Sequence, residues 1–465
     1  MATVIPINAT NPGSKRLRLR AALCPLLALS VSALALLTLP LLALAQNTPQ
    51  QTLVPIDGDI RQQFELISSD SRVVDALANI QAREPDTIRE QFRMTEIPAP
   101  PFQETRRANH YLEQLQLRGL SDAYIDSEGN AVAIRRGTGD GPTLLVAAHL
   151  DTVFPEGVDT TVELRGGRYY APGIGDDTRG LAALLSVIDA LNETGIQTRG
   201  DIIFSGNVGE EGRGDLRGVK ALFRDFPEID GFISIDGVRL RRITTAGTGS
   251  RRFEFVFSGP GGHSFGAFGL ASAIHAMGRA IAKIGDLETP SDPKTTFTVG
   301  TVTGGTSVNS IAADAVFAID MRSNDSAELA KLEEQAKAAA LEAVAEENNR
   351  WNNGEITVDF KLIGDRPVGR TPTDSPIVQV AALAFDEVGI ELQELGTSST
   401  DSNVPMSLGI PAITIAGGGE GGGAHSPDEW FAPGDSWVGP QTAFLTILAL
   451  VGIDGLTPAL LQRAD

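Results

Sequence analysis

The stretch Thr143-Leu-Leu-Val-Ala-Ala-His-Leu-Asp151 is a short, uncharged, apolar run that ends on a histidine and an aspartate. A run this short, bounded by turn residues, reads as a strand buried on both faces rather than as a helix. Two later runs have the same form: residues 201–205 lead to Glu210 and Glu211, and residues 231–235 end against Asp236. Between the first two, Leu181, Leu184, Leu185, Ile188 and Leu191 recur at helical spacing. Strands alternating with helices predict an α/β domain with a mostly parallel sheet covered by helices on both faces. Ligand sites in such sheets lie beyond the carboxyl ends of the strands, which is where these polar residues fall.

The pattern changes near residue 247. Residues 251–258 alternate as a strand, 270–284 have helical spacing, and 295–302 and 313–322 are again strand-like. An alanine- and glutamate-rich helix over 327–348 and a strand over 356–363 follow. Strand, helix, two strands, helix, strand predicts a compact α+β insert. The α/β style resumes near residue 372, with a helix over 377–388 and a strand over 412–416. The expected organisation is therefore a catalytic domain in two parts, 58–246 and 367–465, interrupted by an insert over 247–366.

The first 45 residues stand outside this fold. Lys15, Arg16, Arg18 and Arg20 precede an uncharged apolar run over 21–45 that ends Ala-Leu-Ala before Gln46. That is the pattern of a cleaved signal peptide, with an uncleaved membrane anchor as the alternative. The expectation is a periplasmic or secreted protein without stable membrane association after cleavage, and a polar linker over 46–57. The one cysteine, Cys24, lies in the removed segment, so disulfides and a thiol nucleophile are both excluded from the mature chain. Removing four basic residues takes the net charge from −21 to −25, which argues against nucleic acid as a partner.

Each polar residue at the strand ends has a bland reading beside a chemical one. His149 and Asp151 are two apart and share a side if the strand continues. Asp176, in a glycine-rich turn before a helix, is either an N-cap or a ligand. Glu210 and Glu211 would repel each other in a closed site unless a cation compensated them; in the open they are a solvated turn. Asp236 before glycine fits an Asx-turn as well as a ligand. His425 follows a glycine-rich stretch, and His263 sits in Gly-Pro-Gly-Gly-His-Ser. Both read equally as loop histidines. Together, an imidazole and a carboxylate on each side of a shared carboxylate make a ligand set for two divalent ions. His110 and His275 lie in helical patterns and read as structural.

Eight segments occur in order: AAHLDTVFP, APGIGDDTRG, NVGEEG, SIDG, GPGGHS, GGTSVNSI, DMRS and GGAHSPDEW. From about residue 95 to 450 they resemble the co-catalytic di-zinc metallopeptidases that include peptidase T, the glutamate carboxypeptidases, acetylornithine deacetylase and succinyl-diaminopimelate desuccinylase. The resemblance implies a zinc-exopeptidase-like α/β catalytic domain interrupted by a ferredoxin-like dimerisation or lid domain. It implies that Asp176 bridges two metals, with His149 and Asp236 on one and Glu211 and His425 on the other. Glu210 becomes the general base and Asp151 steadies His149. A cis peptide is implied between Asp176 and Asp177. His263 would help polarise the scissile carbonyl, acting in cis or across a homodimer, while Asn309 and Arg322 would contact substrate. Two features depart from many relatives: Arg179 stands where they have lysine, and Gly209 precedes the glutamates where they have aspartate.

The expected activity is zinc-dependent amide hydrolysis, with manganese or cobalt as alternative metals. Val-Gly-Glu-Glu-Gly and Ser-Thr-Asp-Ser-Asn at 399–403 look closer to peptidase T-like aminopeptidases, which points to short peptides as substrates. The runner-up is an N-acyl amino-acid deacylase or carboxypeptidase. A non-catalytic metal-stabilised binding protein is the reading from a different class, and a complete ligand set with a general base argues against it.

Overall fold

The computed structural model describes residues 53–352 and 355–463. The expected signal segment over 1–45 and most of the expected linker lie outside the described residues. Of that linker, Val54 is buried in the main core, and the Asp57 carboxylate caps the first helix by accepting from the N–H of Asp59 and Ile60. The fold therefore reaches further toward the N-terminus than a linker ending at residue 57.

Four helices come first: α1 (Gly58–Ser68), α2 (Ser71–Ala82), α3 (Glu84–Thr95) and α4 (Thr105–Leu117). The sheet is then built from β1 (Ala131–Arg135), β2 (Thr143–His149), β3 (Asp201–Asn207), β4 (Ile229–Ile235) and β5 (Arg242–Gly247). Helices α5 (Thr178–Thr194) and α6 (Arg217–Asp225) cross over between successive strands. The insert follows as β6 (Gly249–Ser258), α7 (Ala273–Gly285), β7 (Thr295–Gly304), β8 (Asp314–Ser323), α8 (Ser326–Trp351) and β9 (Thr357–Arg366). The chain then returns through α9 (Pro376–Glu387), β10 (Glu394–Ser398), α10 (Asn403–Ser407), β11 (Ala412–Ile415) and α11 (Val438–Val451).

The heart of the main sheet is parallel, in the order β3-β2-β4-β11. Antiparallel strands flank it, β1 beside β3 and β5 beside β11, so the sheet is mixed at its margins. Alternation along β2 explains its unbroken apolar run. Leu144, Val146 and Ala148 pack with α5 and α11 in the core they share with α9, while Leu145 and Ala147 share the core on the other face with Val219 and Leu222 of α6. At about 25 cal/mol per Å² of apolar surface, a strand buried on both faces gains hydrophobic stabilisation from every residue. A polar substitution anywhere in it would break that packing.

The insert is a four-stranded antiparallel sheet ordered β7-β8-β6-β9. Alternation there does different work. Phe255 of β6 and Phe317 of β8 face the helices, with ring centroids 4.7 Å apart, in a core shared with Ala276 and Ala340. The opposite parity, Arg252, Asp320 and Arg322, faces the strand ends of the main sheet.

Candidate metal centre and active site

Because β2, β3 and β4 are parallel, their carboxyl ends share one edge, and the residues after them converge. His149 closes β2, Glu210 and Glu211 follow β3, and Asp236 follows β4. Asp176 arrives in the turn before α5, and His425 from a loop where its own φ is +64°. The Asp176–Asp177 peptide is cis. Asp177, not Asp176, caps α5: its carboxylate accepts from Gly180 N at 3.0 Å and also from His149 N and Gly237 N at 3.1 Å. The cap role is thus filled by the neighbour, and Asp176 is left facing the histidines.

Asp176 Oδ1 lies 3.0 Å from His149 Nε2, and Oδ2 lies 3.3 Å from His425 Nε2. His425 Nε2 is also 2.9 Å from Glu211 Oε1. Two donor sets share Asp176: His149, Asp176 and Asp236, and Asp176, Glu211 and His425, each with ligand atoms within 4.8 Å of one another. The charges within them are unbalanced. Burial, and then Asp176, push the Asp236 carboxyl up to about 7. Hydrogen bonds that the ring donates to the Asp176 and Glu211 carboxylates raise His425 to about 10. A carboxylate–imidazole cluster that must hold protons to coexist is chemically suited to hold divalent cations instead, and mixed nitrogen and oxygen donors suit zinc, manganese or cobalt.

Asp151 sits behind the cluster. Its carboxylate accepts from Glu210 N at 3.0 Å and Glu211 N at 2.7 Å. His149 Nδ1 lies 3.0 Å from the Asp151 carbonyl oxygen and 3.7 Å from its carboxylate. The backbone of Asp151 therefore contacts the imidazole while its side chain holds the glutamate turn. Gly209 ahead of that turn has φ +74°, and a Cβ there would stand 2.6 Å from Arg217 Cγ. This local geometry accounts for glycine where many relatives have aspartate.

Burial pushes the Glu210 carboxyl well above the usual carboxylate range, against the opposing Arg366 guanidinium. Arg366 Nη1 donates to Glu210 Oε1 at 3.2 Å, and Nη2 donates to the Glu210 carbonyl. A cavity of about 420 Å³ opens beside the cluster, with Glu210, Asp236, His425 and Arg322 in its wall. His263 and Asn309 are elsewhere. His263 is exposed on a two-residue strand paired with Ser310–Ile311, and its Nδ1 accepts from Gly266 N at 3.1 Å. The Asn309 carbonyl accepts from Ser264 N at 2.9 Å, which groups it with His263 rather than with the cavity. His110 pairs with Glu90 at 2.6 Å, and His275 is exposed on α7.

Three buried groups at this centre had no role in the sequence reading. Asp401 accepts from Asn207 Nδ2 at 2.7 Å beneath the cluster. Arg366 belongs to no motif. Glu429 lies within the Ser-Pro-Asp-Glu-Trp segment, which was the signal that could have found it. Its carboxylate accepts from Gly173 N, Gly175 N and Asp176 N at 2.8–2.9 Å and so orients the turn carrying Asp176. Glu429→Gln is expected to weaken metal binding about 10- to 100-fold, the usual cost of losing a partner behind the ligands. A chelator competition titration measures this, and an unchanged affinity would show that the turn holds without it.

Residues 145–449 match peptidase family M20/M25/M40, and the chain belongs to that family. It is a metal-dependent hydrolase of the peptidase and amidohydrolase type, which removes the non-catalytic reading. The uncharacterized protein YqjE of Bacillus subtilis is 30% identical over 307 residues, covering 63% of this chain and 77% of that protein. Carboxypeptidase G2 of a Pseudomonas species is 34% identical over 112 residues, only 22% of this chain and 27% of that enzyme. Among solved structures, aminopeptidase PepT of Bacillus cereus superposes with a TM-score of 0.62 at 21% identity, over 78% of this chain and 97% of that one.

Proposed function

We propose that this chain is an exported di-zinc exopeptidase that hydrolyses the amide bond of short peptides, as an aminopeptidase or a di- or tripeptidase. The observation that carries the reading is Asp176, whose two oxygens face different histidines while Glu210 stands beside them at the cavity. His149, Asp176 and Asp236 would hold one divalent ion, and Asp176, Glu211 and His425 the other. Such a pair supplies Lewis acidity that activates water and polarises a carbonyl. Glu210 takes the proton of the attacking water and returns it to the departing amine. Arg366 keeps the Glu210 carboxylate in place during both transfers.

A second reading, N-acyl amino-acid deacylase or carboxypeptidase, draws support from Arg322 in the cavity wall and from the partial likeness to carboxypeptidase G2. The two differ in what stands on the substrate's amine. The zinc-, manganese- or cobalt-loaded protein should be given di- and tripeptides beside N-acetyl and N-succinyl amino acids. Turnover restricted to free-amine peptides supports the first reading, and turnover restricted to blocked substrates establishes the second.

The exposed position of His263 fits a role across a homodimer. Mixing a His263→Ala chain with a Glu210→Gln chain would then restore up to about a quarter of wild-type activity, since half of the dimers are mixed and each has one intact site. No recovery on mixing would remove the shared-site arrangement. Export predicts a mature N-terminus at Gln46, readable by N-terminal sequencing of protein from the producing cells.

A further inference from the structure

The chain carries 59 acidic and only 38 basic side chains, yet five arginines line the cavity beside the candidate metal cluster. Arg366 is committed to Glu210. The other four form two pairs on two walls. Arg252 and Arg322 come from β6 and β8 of the insert and share Asp320, with Nε atoms 3.0 and 2.7 Å from its two oxygens. Arg239 and Arg242 follow β4 of the main sheet and share Glu394, at 3.1 and 3.6 Å.

Each wall therefore sets two guanidinium groups against one carboxylate. The remaining acidic groups in the cavity do not absorb the excess. With Glu210 already set against Arg366, Asp176, Glu211 and Asp236 carry three negative charges at most, which two divalent ions would more than offset. Arg242 also has unused capacity. Its Nη2 donates to the Thr397 carbonyl at 2.9 Å and its Nε is buried, but Nη1 lies 3.6 Å from Glu394 Oε1, beyond hydrogen-bond length. It lies flat over Gly396, where a Cβ would fall 2.0 Å from Nε, so β10 leaves room for that side chain by having glycine at this position. A planar, permanently charged fork with free donors matches a carboxylate.

We infer that the cavity selects amide substrates bearing two carboxylates, one received by Arg322 on the insert and the second by Arg242 with Arg239 on the main sheet. The second carboxylate is that of an acidic side chain, as in a glutamyl or aspartyl residue. This inference rests on the amide-hydrolase reading above and specifies its substrate class. The cationic walls draw the dianion into a cavity whose metal ions would otherwise attract any carbonyl substrate alike.

The test compares isosteric pairs on the full metal-loaded chain: Ala-Glu against Ala-Gln, Glu-Ala against Gln-Ala, and N-acetylglutamate against N-acetylglutamine. At least one pair is expected to show a tenfold or greater preference in kcat/KM for its acidic member. Arg242→Gln should collapse that preference to below about threefold. Glu394→Gln, which frees both arginines from their shared carboxylate, should widen it. A structural role for Arg242 would lower both members of a pair equally and leave the ratio intact, and that result overturns the inference. Equal rates within every pair overturn it too, while sparing the short-amide reading. Hydrolysis of none of the six substrates overturns both.

Discussion

Glu210→Gln is expected to lower kcat by about a thousandfold, roughly 4 kcal/mol of transition-state stabilisation, while two metal ions remain bound. Glutamine preserves the shape of the side chain and keeps an oxygen for Arg366 Nη1, which now lies 3.2 Å from Glu210 Oε1. The turn that carries it is fixed independently, by the Asp151 carboxylate on the N–H groups of Glu210 and Glu211. Only the capacity to accept a proton is lost. Both proton transfers depend on it, so the loss should appear in kcat more than in KM. Metal content measured by elemental analysis separates this from a ligand defect. Turnover within tenfold of wild type would remove Glu210 as the base, and loss of a metal ion would reassign it to the ligand set.

The residues at this centre that were legible in the sequence are those tied to strand ends by short motifs. β2, β3 and β4 could be read because burial on both faces leaves continuous apolar runs, and a polar residue just after such a run is conspicuous. Residues 61–83 are rich in helix formers throughout, yet they fall into two helices. Asp70 starts the second by accepting from Arg72 N, a local bond that periodicity does not reveal. Helix α3 escaped because its buried face includes Glu84, Gln91 and Thr95, whose partners come from distant segments. Gln91 donates to the Ile174 carbonyl, for example, at 2.7 Å. The small sheet of Glu163–Arg165, Arg168–Tyr170, Glu420–Gly422 and Trp430–Ala432 is made of pieces too short to show any period. The arginine walls were illegible for a related reason. Arg239, Arg242 and Arg366 each look like an ordinary charged residue at a strand end, and only packing shows that they face one cavity.

Arg179 is the departure from the family pattern that the structure explains most fully, and its removal should produce a large loss of stability. The side chain is wholly buried. Nη1 donates to Glu84 Oε1 at 2.8 Å, Nε to the Gly417 carbonyl at 2.6 Å and Nη2 to the Ser436 carbonyl at 2.7 Å. One guanidinium thus ties the first turn of α5, just after Asp176 and Asp177, to the segment that leaves β11 toward His425. Arg179→Leu leaves the buried Glu84 carboxylate without its cation and the Gly417 carbonyl without its donor, while the Ser436 carbonyl keeps Gly439 N at 3.2 Å; such a change typically costs about 3–5 kcal/mol. Arg179→Lys restores the charge but not the three-way fork, so a smaller loss of about 1–2 kcal/mol is expected. Urea unfolding of the metal-free variants measures both. Pairing Arg179→Leu with Glu84→Leu should recover part of the loss, because the two act as one unit. A cost below about 1 kcal/mol for Arg179→Leu would mean that Glu84 finds another partner or takes up a proton. If the fork orients the centre as well, the Lys variant should bind metal more weakly than its small loss of stability alone implies.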